Sequence, residues 1–241
     1  MYSYEDIFGT KQRVLFVTAH PDDVDAYWGG LVARLNHDRK DTFLVLVTNG
    51  ARGSRENRIS EAELAVKRIG EQQAALTHLG MPPKNFVCLQ HLDGEFECCL
   101  PLIGEIAKYI RLWKPEIVVS HEPQALYTAR EAMPGFSMVN HRDHRVVGTA
   151  VLDAVYPFSR DRSFFPQHAQ ENLEPHTVNE ILFSDEFRTN ARIDVTIALE
   201  KKKAALRAHG SQFDETVIQR ILDSDRNNEQ YFESGNYLKI L

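Results

Sequence analysis

Val14-Leu15-Phe16-Val17-Thr18-Ala19-His20-Pro21-Asp22-Asp23 decides how the rest of this chain is read. Four consecutive apolar residues fit a strand covered on both faces. They run directly into one imidazole and two carboxylates within four positions. A catalytic zinc keeps three protein ligands and one open position, and it lowers the pKa of water there to about 7. His20 and Asp23 can serve one ion from a single turn. Asp22 cannot easily share that face, so it is left as the base. Pro21 limits the spread of backbone between them. Asp25 is expected to cap the following helix, since an aspartate accepts readily from the orphan N–H groups of a first turn. Tyr27 and Trp28, aromatics that open the same helix, are read as core side chains.

Outward from this stretch, further apolar runs follow at Phe43–Thr48, Phe86–Leu89, Ile117–Ser120 and Thr177–Phe183. Helical periods fall between them at about 25–37, 61–79, 101–112, from Asp143 through Val155, and from Ile197 to His209, with Gly80 and Pro82-Pro83 closing the second. Such alternation predicts an α/β, Rossmann-like fold, with a mostly parallel sheet and helices on both faces. Ligands in that architecture bind beyond the carboxyl ends of the strands. The polar segments His20–Asp23, Asn49–Arg55, His91–Gly94 and His121-Glu122-Pro123 each follow a predicted strand, so they are expected at one rim.

One of those rim positions has a distant complement in His141-Arg142-Asp143-His144. His141 and His144 lie three apart and share a face at a helix start. One imidazole could complete the metal site while the other stabilises the oxyanion that develops on an attacked carbonyl. Asp143 could orient an imidazole through its second nitrogen, or simply cap the helix.

The 241 residues are 43% hydrophobic and 26% charged, as expected of one large globular domain. The formal charge of −6 with no basic block argues against a nucleic-acid partner. Met1–Asp6 has no basic region leading into an apolar run, so no secretory signal is expected, and no stretch approaches the length of a membrane span. Cys88, Cys98 and Cys99 fit free thiols in a reducing cytoplasm better than a disulfide framework.

Ala19-His20-Pro21-Asp22-Asp23 with Gly29-Gly30, Thr48-Asn49-Gly50, Leu79-Gly80, Asp93-Gly94 and His141-Arg142-Asp143-His144 together resemble the PIG-L/LmbE-like family of zinc-dependent de-N-acetylases. Lys203 through His209-Gly210-Ser211-Gln212 is similar to that family's late Lys…His-x-Ser-Gln segment. The likeness covers most of residues 13–212, which gives a core of that extent within a single domain of 1–241 and a C-terminal extension over 213–241. It implies zinc, or another divalent transition metal, on His20, Asp23 and His144. It implies Asp22 as general base, His141 as the oxyanion-side imidazole with Asp143 in support, and Arg68 and Asp93 facing sugar hydroxyls. Relatives assemble, so a homo-oligomer is implied as well.

Two positions depart from the family pattern. Ala51, followed by Arg52, stands where members often carry Glu, and Val139 stands where some carry Tyr. The second leaves the oxyanion to His141 or to a tyrosine from elsewhere such as Tyr127, and residues 124–139 are a candidate lid. The function implied is a cytoplasmic zinc hydrolase that releases acetate from an N-acetylated amino sugar of the N-acetylglucosamine type. The alternatives are an amidase acting on another small amide such as a thiol conjugate, a non-catalytic sugar-binding relative, and a metal phosphoesterase. The last would want a second metal and more carboxylates.

Overall fold

A computed structural model of the chain describes residues 1–54, 59–129, 137–184 and 188–240. Among them the chain runs α1 (Tyr4–Phe8), β1 (Arg13–Thr18), α2 (Asp23–His37), β2 (Asp41–Thr48), α3 (Glu61–Leu79), β3 (Phe86–His91), α4 (Leu100–Trp113), β4 (Ile117–His121), β5 (Tyr127–Ala129), β6 (Ser137–Val139), α5 (Arg142–Asp153), α6 (Gln167–Gln170), β7 (Glu180–Ser184), β8 (Ala191–Asp194), α7 (Leu199–Ala208), α8 (Glu215–Asp225), β9 (Arg226–Asn227) and β10 (Gln230–Lys239).

The main sheet has the order β3-β2-β1-β4-β7-β10-β8. The five strands from β3 to β7 are parallel, and β10 lies antiparallel between β7 and β8. Both faces are covered, as the unbroken apolar runs require. Val14 and Phe16 of β1 pack toward α2 and α3, while Leu15 and Val17 pack toward α4 and α5. Strand order reverses between β1 and β4, and in open α/β sheets that crevice is where ligands sit.

Local chemistry sets the element ends. Ser60 and Glu63 form a reciprocal capping box at the start of α3, and Gly80 ends that helix with φ 84°. The period expected through Val155 stops earlier: α5 ends at Asp153, and Ala154–Phe158 continue as a wider helical turn that contains Pro157. A 3₁₀ turn at Thr196–Ala198 precedes α7. Within the expected lid, Tyr127–Ala129 pair with Ser137–Val139 as an antiparallel ribbon. Residues 130–136 of that segment, and Arg55 of the expected rim, lie outside the described residues.

Residues 213–241, expected as an extension beyond the core, supply a strand in the interior of the sheet instead. Glu233 of β10 is buried, and its carboxylate accepts from the N–H groups of Gly30 and Leu31 in α2, both at 2.7 Å. Lys202 of α7, also buried, donates to Glu233 and to Asp225 at 2.7 Å each. Burial raises the Glu233 pKa to about 7 against the pull of Lys202, so the carboxylate depends on that ammonium. Removing one partner of a buried pair typically costs about 3–5 kcal/mol. Glu233→Ala should therefore lower the stability measured by urea unfolding by an amount of that order, and a loss below about 1 kcal/mol would show that the triad does not hold β10 to α2.

Candidate metal centre and cavity

After β1 the chain turns sharply, and Asp22 becomes the N-cap residue of α2 with φ 109° and ψ −25°. A non-glycine residue in such a conformation costs about 1–3 kcal/mol and persists only where its surroundings over-determine it. Here Arg68 of α3 reaches across and donates to the Pro21 carbonyl at 2.6 Å, to Asp22 Oδ2 at 3.0 Å and to the Gly50 carbonyl at 3.1 Å. Gly50 has φ 71°, and a Cβ there would stand 2.9 Å from both the Arg68 guanidinium and the Pro21 ring. Thr48-Asn49-Gly50 thus ends in glycine because a side chain there would press on both the arginine and the Pro21 ring.

Asp23 enters the first turn of α2 with a buried carboxylate. Its Oδ1 lies 3.1 Å from Nε2 of His144, and its Oδ2 lies 3.5 Å from Nδ1 of His20. One nitrogen from each imidazole and a carboxylate oxygen fall within 4.8 Å of one another, a donor set suited to a divalent transition metal. Its charge balance points the same way. Burial opposes a charged His20, yet the Asp143 and Asp23 carboxylates push its pKa up to about 10. Burial also works against ionised Asp23, but His144 and His121 hold its carboxyl well below the usual range. A site this rich in negative charge attracts a cation, and a divalent ion would answer both carboxylates.

Asp143 supports an imidazole, but a different one from that expected. Its Oδ2 lies 3.2 Å from Nε2 of His20 and 3.9 Å from Nδ1 of His141, and it also accepts from the Gly94 N–H at 2.8 Å. It therefore orients His20, the ring whose other nitrogen faces Asp23, in the manner of a carboxylate behind a metal-ligating histidine. His141 is the N-cap of α5 and accepts from the Asp143 N–H through Nδ1 at 3.2 Å. That bond leaves its proton on Nε2, and burial beside His20 and His144 lowers its pKa. The ring is thus a neutral N–H donor.

His121, at the end of β4, is the functional neighbour that motif reading misses. Its ring stacks on His144 with centroids 4.0 Å apart and planes at 2°, and its Nε2 lies 3.2 Å from Asp23 and accepts from the Ala19 N–H at 3.1 Å. Burial and the neighbouring His144 lower its pKa to about 4, so it stays neutral. A histidine ending a strand at the switch point was the available signal. α5 comes this close to β4 only through Gly148, where a Cβ would stand 2.3 Å from the His121 carbonyl oxygen.

Asp25 does not cap α2, because Asp22 already holds the N-cap position. The Asp25 side chain is fully buried, and its Oδ2 accepts from Gln72 at 2.8 Å and lies 2.9 Å from His209 Nε2. Trp28 is core, as expected. Tyr27 packs against the same core, with its ring edge-on to His121 and His144.

Beside the metal-ligand group opens a cavity of about 370 Å³, lined by His20, Asp22, Arg52, Arg68, Asp93, His141 and Gln212. Burial raises the Asp22 pKa to about 6 although Arg68 pulls it down, which places a desolvated carboxylate at the cavity wall. Asp93 accepts from the N–H groups of Gly50 and Arg52, both at 3.1 Å, so it shapes the turn after β2 as well as lining the cavity.

Fold and site together place the chain among the metal-dependent de-N-acetylases. Residues 15–155 match the GlcNAc-PI de-N-acetylase (PIG-L) family, and the chain belongs to that family. It is 28% identical over 216 residues to the diacetylchitobiose deacetylase of Thermococcus kodakarensis, covering 90% of this chain and 76% of the relative. It is also 28% identical over 242 residues to the 1D-myo-inositol 2-acetamido-2-deoxy-alpha-D-glucopyranoside deacetylase of Mycobacteroides abscessus, covering 84% and 82%. In fold it is similar to the N,N'-diacetylchitobiose deacetylase of Pyrococcus horikoshii, with a TM-score of 0.83, 23% identity and coverage of 96% and 85%. The 4-carboxy-2-hydroxymuconate hydratase of Pseudomonas putida shares the fold at a TM-score of 0.75 and 19% identity.

If His20, Asp23 and His144 hold the ion, His144→Ala and Asp23→Ala should lose most of about one metal per chain seen in the parent by elemental analysis, whereas Asp22→Asn should keep it. Full metal content in His144→Ala would remove that residue from the ligand set.

Proposed function

We propose that this protein is a zinc-dependent hydrolase that removes the acetyl group from an N-acetylated amino sugar. The observation that carries this reading is the meeting of a two-histidine, one-carboxylate donor set with the desolvated carboxylate of Asp22 at one cavity wall. Membership of the de-N-acetylase family supplies the reaction class. The two relatives named above for their substrates act on different molecules that share a 2-acetamido sugar. That shared unit is the substrate class taken here, and the cavity falls within the size range of small-molecule sites.

In this mechanism His20, Asp23 and His144 would hold the zinc ion, and Asp143 orients His20. A bound zinc ion supplies Lewis acidity at the amide carbonyl and acidifies water to near neutrality. Asp22 accepts the proton from the attacking water, and a pKa raised toward neutrality by burial suits it both to take that proton and to return it to the departing amine. His141, neutral and protonated on Nε2, donates to the oxygen on which charge develops. Arg68 and Asp93 line the sugar side of the cavity. Because Arg68 also grips Asp22, it serves recognition and base placement together.

Among the described residues no helix is long and apolar enough to cross a membrane. The cysteines at 88, 98 and 99 are free thiols, which suits the reducing cytoplasm assigned here. A homo-oligomer would cover the apolar edge formed by Leu126, Tyr127 and Val139, which are 65%, 58% and 80% exposed.

Acetate release from a panel of N-acetylglucosamine conjugates tests the function directly; a fully metallated parent that releases none from any of them would sink it. Asp22→Asn keeps the shape of the side chain but cannot accept a proton, so it should lower kcat by about 10²–10⁴ with metal still bound. Near-parental turnover in that variant would place the base elsewhere. Arg68→Ala should lower kcat as well as raise KM, since it loosens Asp22 besides removing a sugar-side donor. A pure KM effect would mean that its grip on Asp22 does not matter to the chemistry.

A further inference from the structure

Three buried polar side chains lie beneath the catalytic turn and take no part in the mechanism above: Gln72 of α3, Asp25 of α2 and His209 at the end of α7. We propose that they are positioning residues that hold the peptide of Asp22 in its left-handed conformation and thereby aim the carboxylate at the attacking water. This proposal rests on Asp22 being the general base.

Their bonds form a directed chain. The Asp22 N–H donates to Gln72 Oε1 at 2.9 Å, and Gln72 Nε2 donates to Asp25 Oδ2 at 2.8 Å. A carboxylate only accepts, so Asp25 forces the amide of Gln72 to turn its oxygen toward Asp22. Were the amide free to flip, its NH₂ group would confront the Asp22 N–H and the turn would lose its anchor. Asp25 is fixed from the other side by His209, whose Nε2 lies 2.9 Å from the same oxygen. Gln72, Asp25 and His209 are all fully buried, so water cannot replace any of these bonds.

Arg68 and Gln72 grip the two ends of one rigid unit, because the Pro21 carbonyl and the Asp22 N–H belong to the same planar peptide. With Gln72 gone, Arg68 would hold that peptide at its carbonyl end alone. The end of α7 is tied to the same helix as Gln72 and Arg68, because Glu71 accepts from the Ser211 N–H at 3.0 Å and from its hydroxyl at 2.5 Å. The His209-Gly210-Ser211-Gln212 segment thus locks α2, α3 and α7 together under one strained residue.

The decisive variant is Gln72→Met, which keeps the volume of the side chain and removes both bonds. It should retain metal and hold KM within about twofold while kcat falls by about 10- to 100-fold, because a misplacement of about 1 Å at a reacting group costs on that scale. Its crystal structure should show residue 22 moved away from φ 109°. His209→Gln, which can still donate to Asp25, should keep most of the parental kcat, whereas His209→Ala should behave like Gln72→Met. The proposal is overturned if Gln72→Met keeps both φ and kcat at parental values. It is also overturned if metal content falls in step with kcat, which would make the cluster a scaffold for the metal ligands. If Gln72→Met does not fold, the two His209 variants decide, and equal kcat in both would overturn it. Should the parent release no acetate, the proposed function fails, while the position of residue 22 in Gln72→Met still decides the positioning role.

Discussion

The carboxylate of Asp23 is a buried negative charge, and a buried charge must be compensated. Its compensation comes from His20 on the same turn and His144 in the first turn of α5, beside the neutral ring of His121 at the end of β4. No local segment could bring these together. They meet because strand order reverses between β1 and β4, so the ends of those two strands face one crevice and α5 can drop its first turn into it. The close approach of Gly148 to the backbone of β4 follows from that requirement, and so does the flat stacking of His121 on His144.

A second buried charge does comparable work away from the chemistry. Glu233 binds two N–H groups in the middle of α2, and Lys202 answers its charge from α7. The helix that begins with Asp23 is thus held by the C-terminal strand at one point and by His209, through Asp25, at another. The carboxyl-terminal third of the chain, through Glu233 and His209, thus fixes the helix that presents Asp23.

The parallel half of the sheet was legible because its strands are largely apolar runs, and α3 because its end signals are local, Ser60 with Glu63 and then Gly80. The residues of the donor set were legible for a different reason: imidazoles and carboxylates at a strand end have few bland explanations. What stayed hidden was pairing. β10 carries Glu233 and Gly235 amid its aromatic residues, so it lacks the apolar run of a central strand; its burial depends on Lys202, far away in sequence. Asp25 read as a cap for the same reason, since nothing near it in sequence announces Gln72 or His209. Likewise, the choice of Asp143 between His20 and His141 is made by the loop carrying Gly94, whose N–H fixes the carboxylate, and not by spacing within the motif.

Asp22 and Asp23 are neighbours with identical side chains, and their surroundings drive them apart. Asp23 sits among imidazoles that hold its carboxyl well below the usual range, so it stays ionised and is suited to bind a cation. Asp22 is desolvated, and its pKa rises to about 6 although Arg68, followed by His209 and His20, pulls the other way. Two titratable groups pushed in opposite directions are the pattern from which ligand and base roles separate. What divides them is backbone: the left-handed φ of Asp22 swings its side chain toward Arg68 and the cavity, while Asp23, one residue on and already helical, faces the histidines. A relaxed turn would take the Asp22 carboxylate away from Arg68, and the difference in surroundings between the two aspartates would be lost.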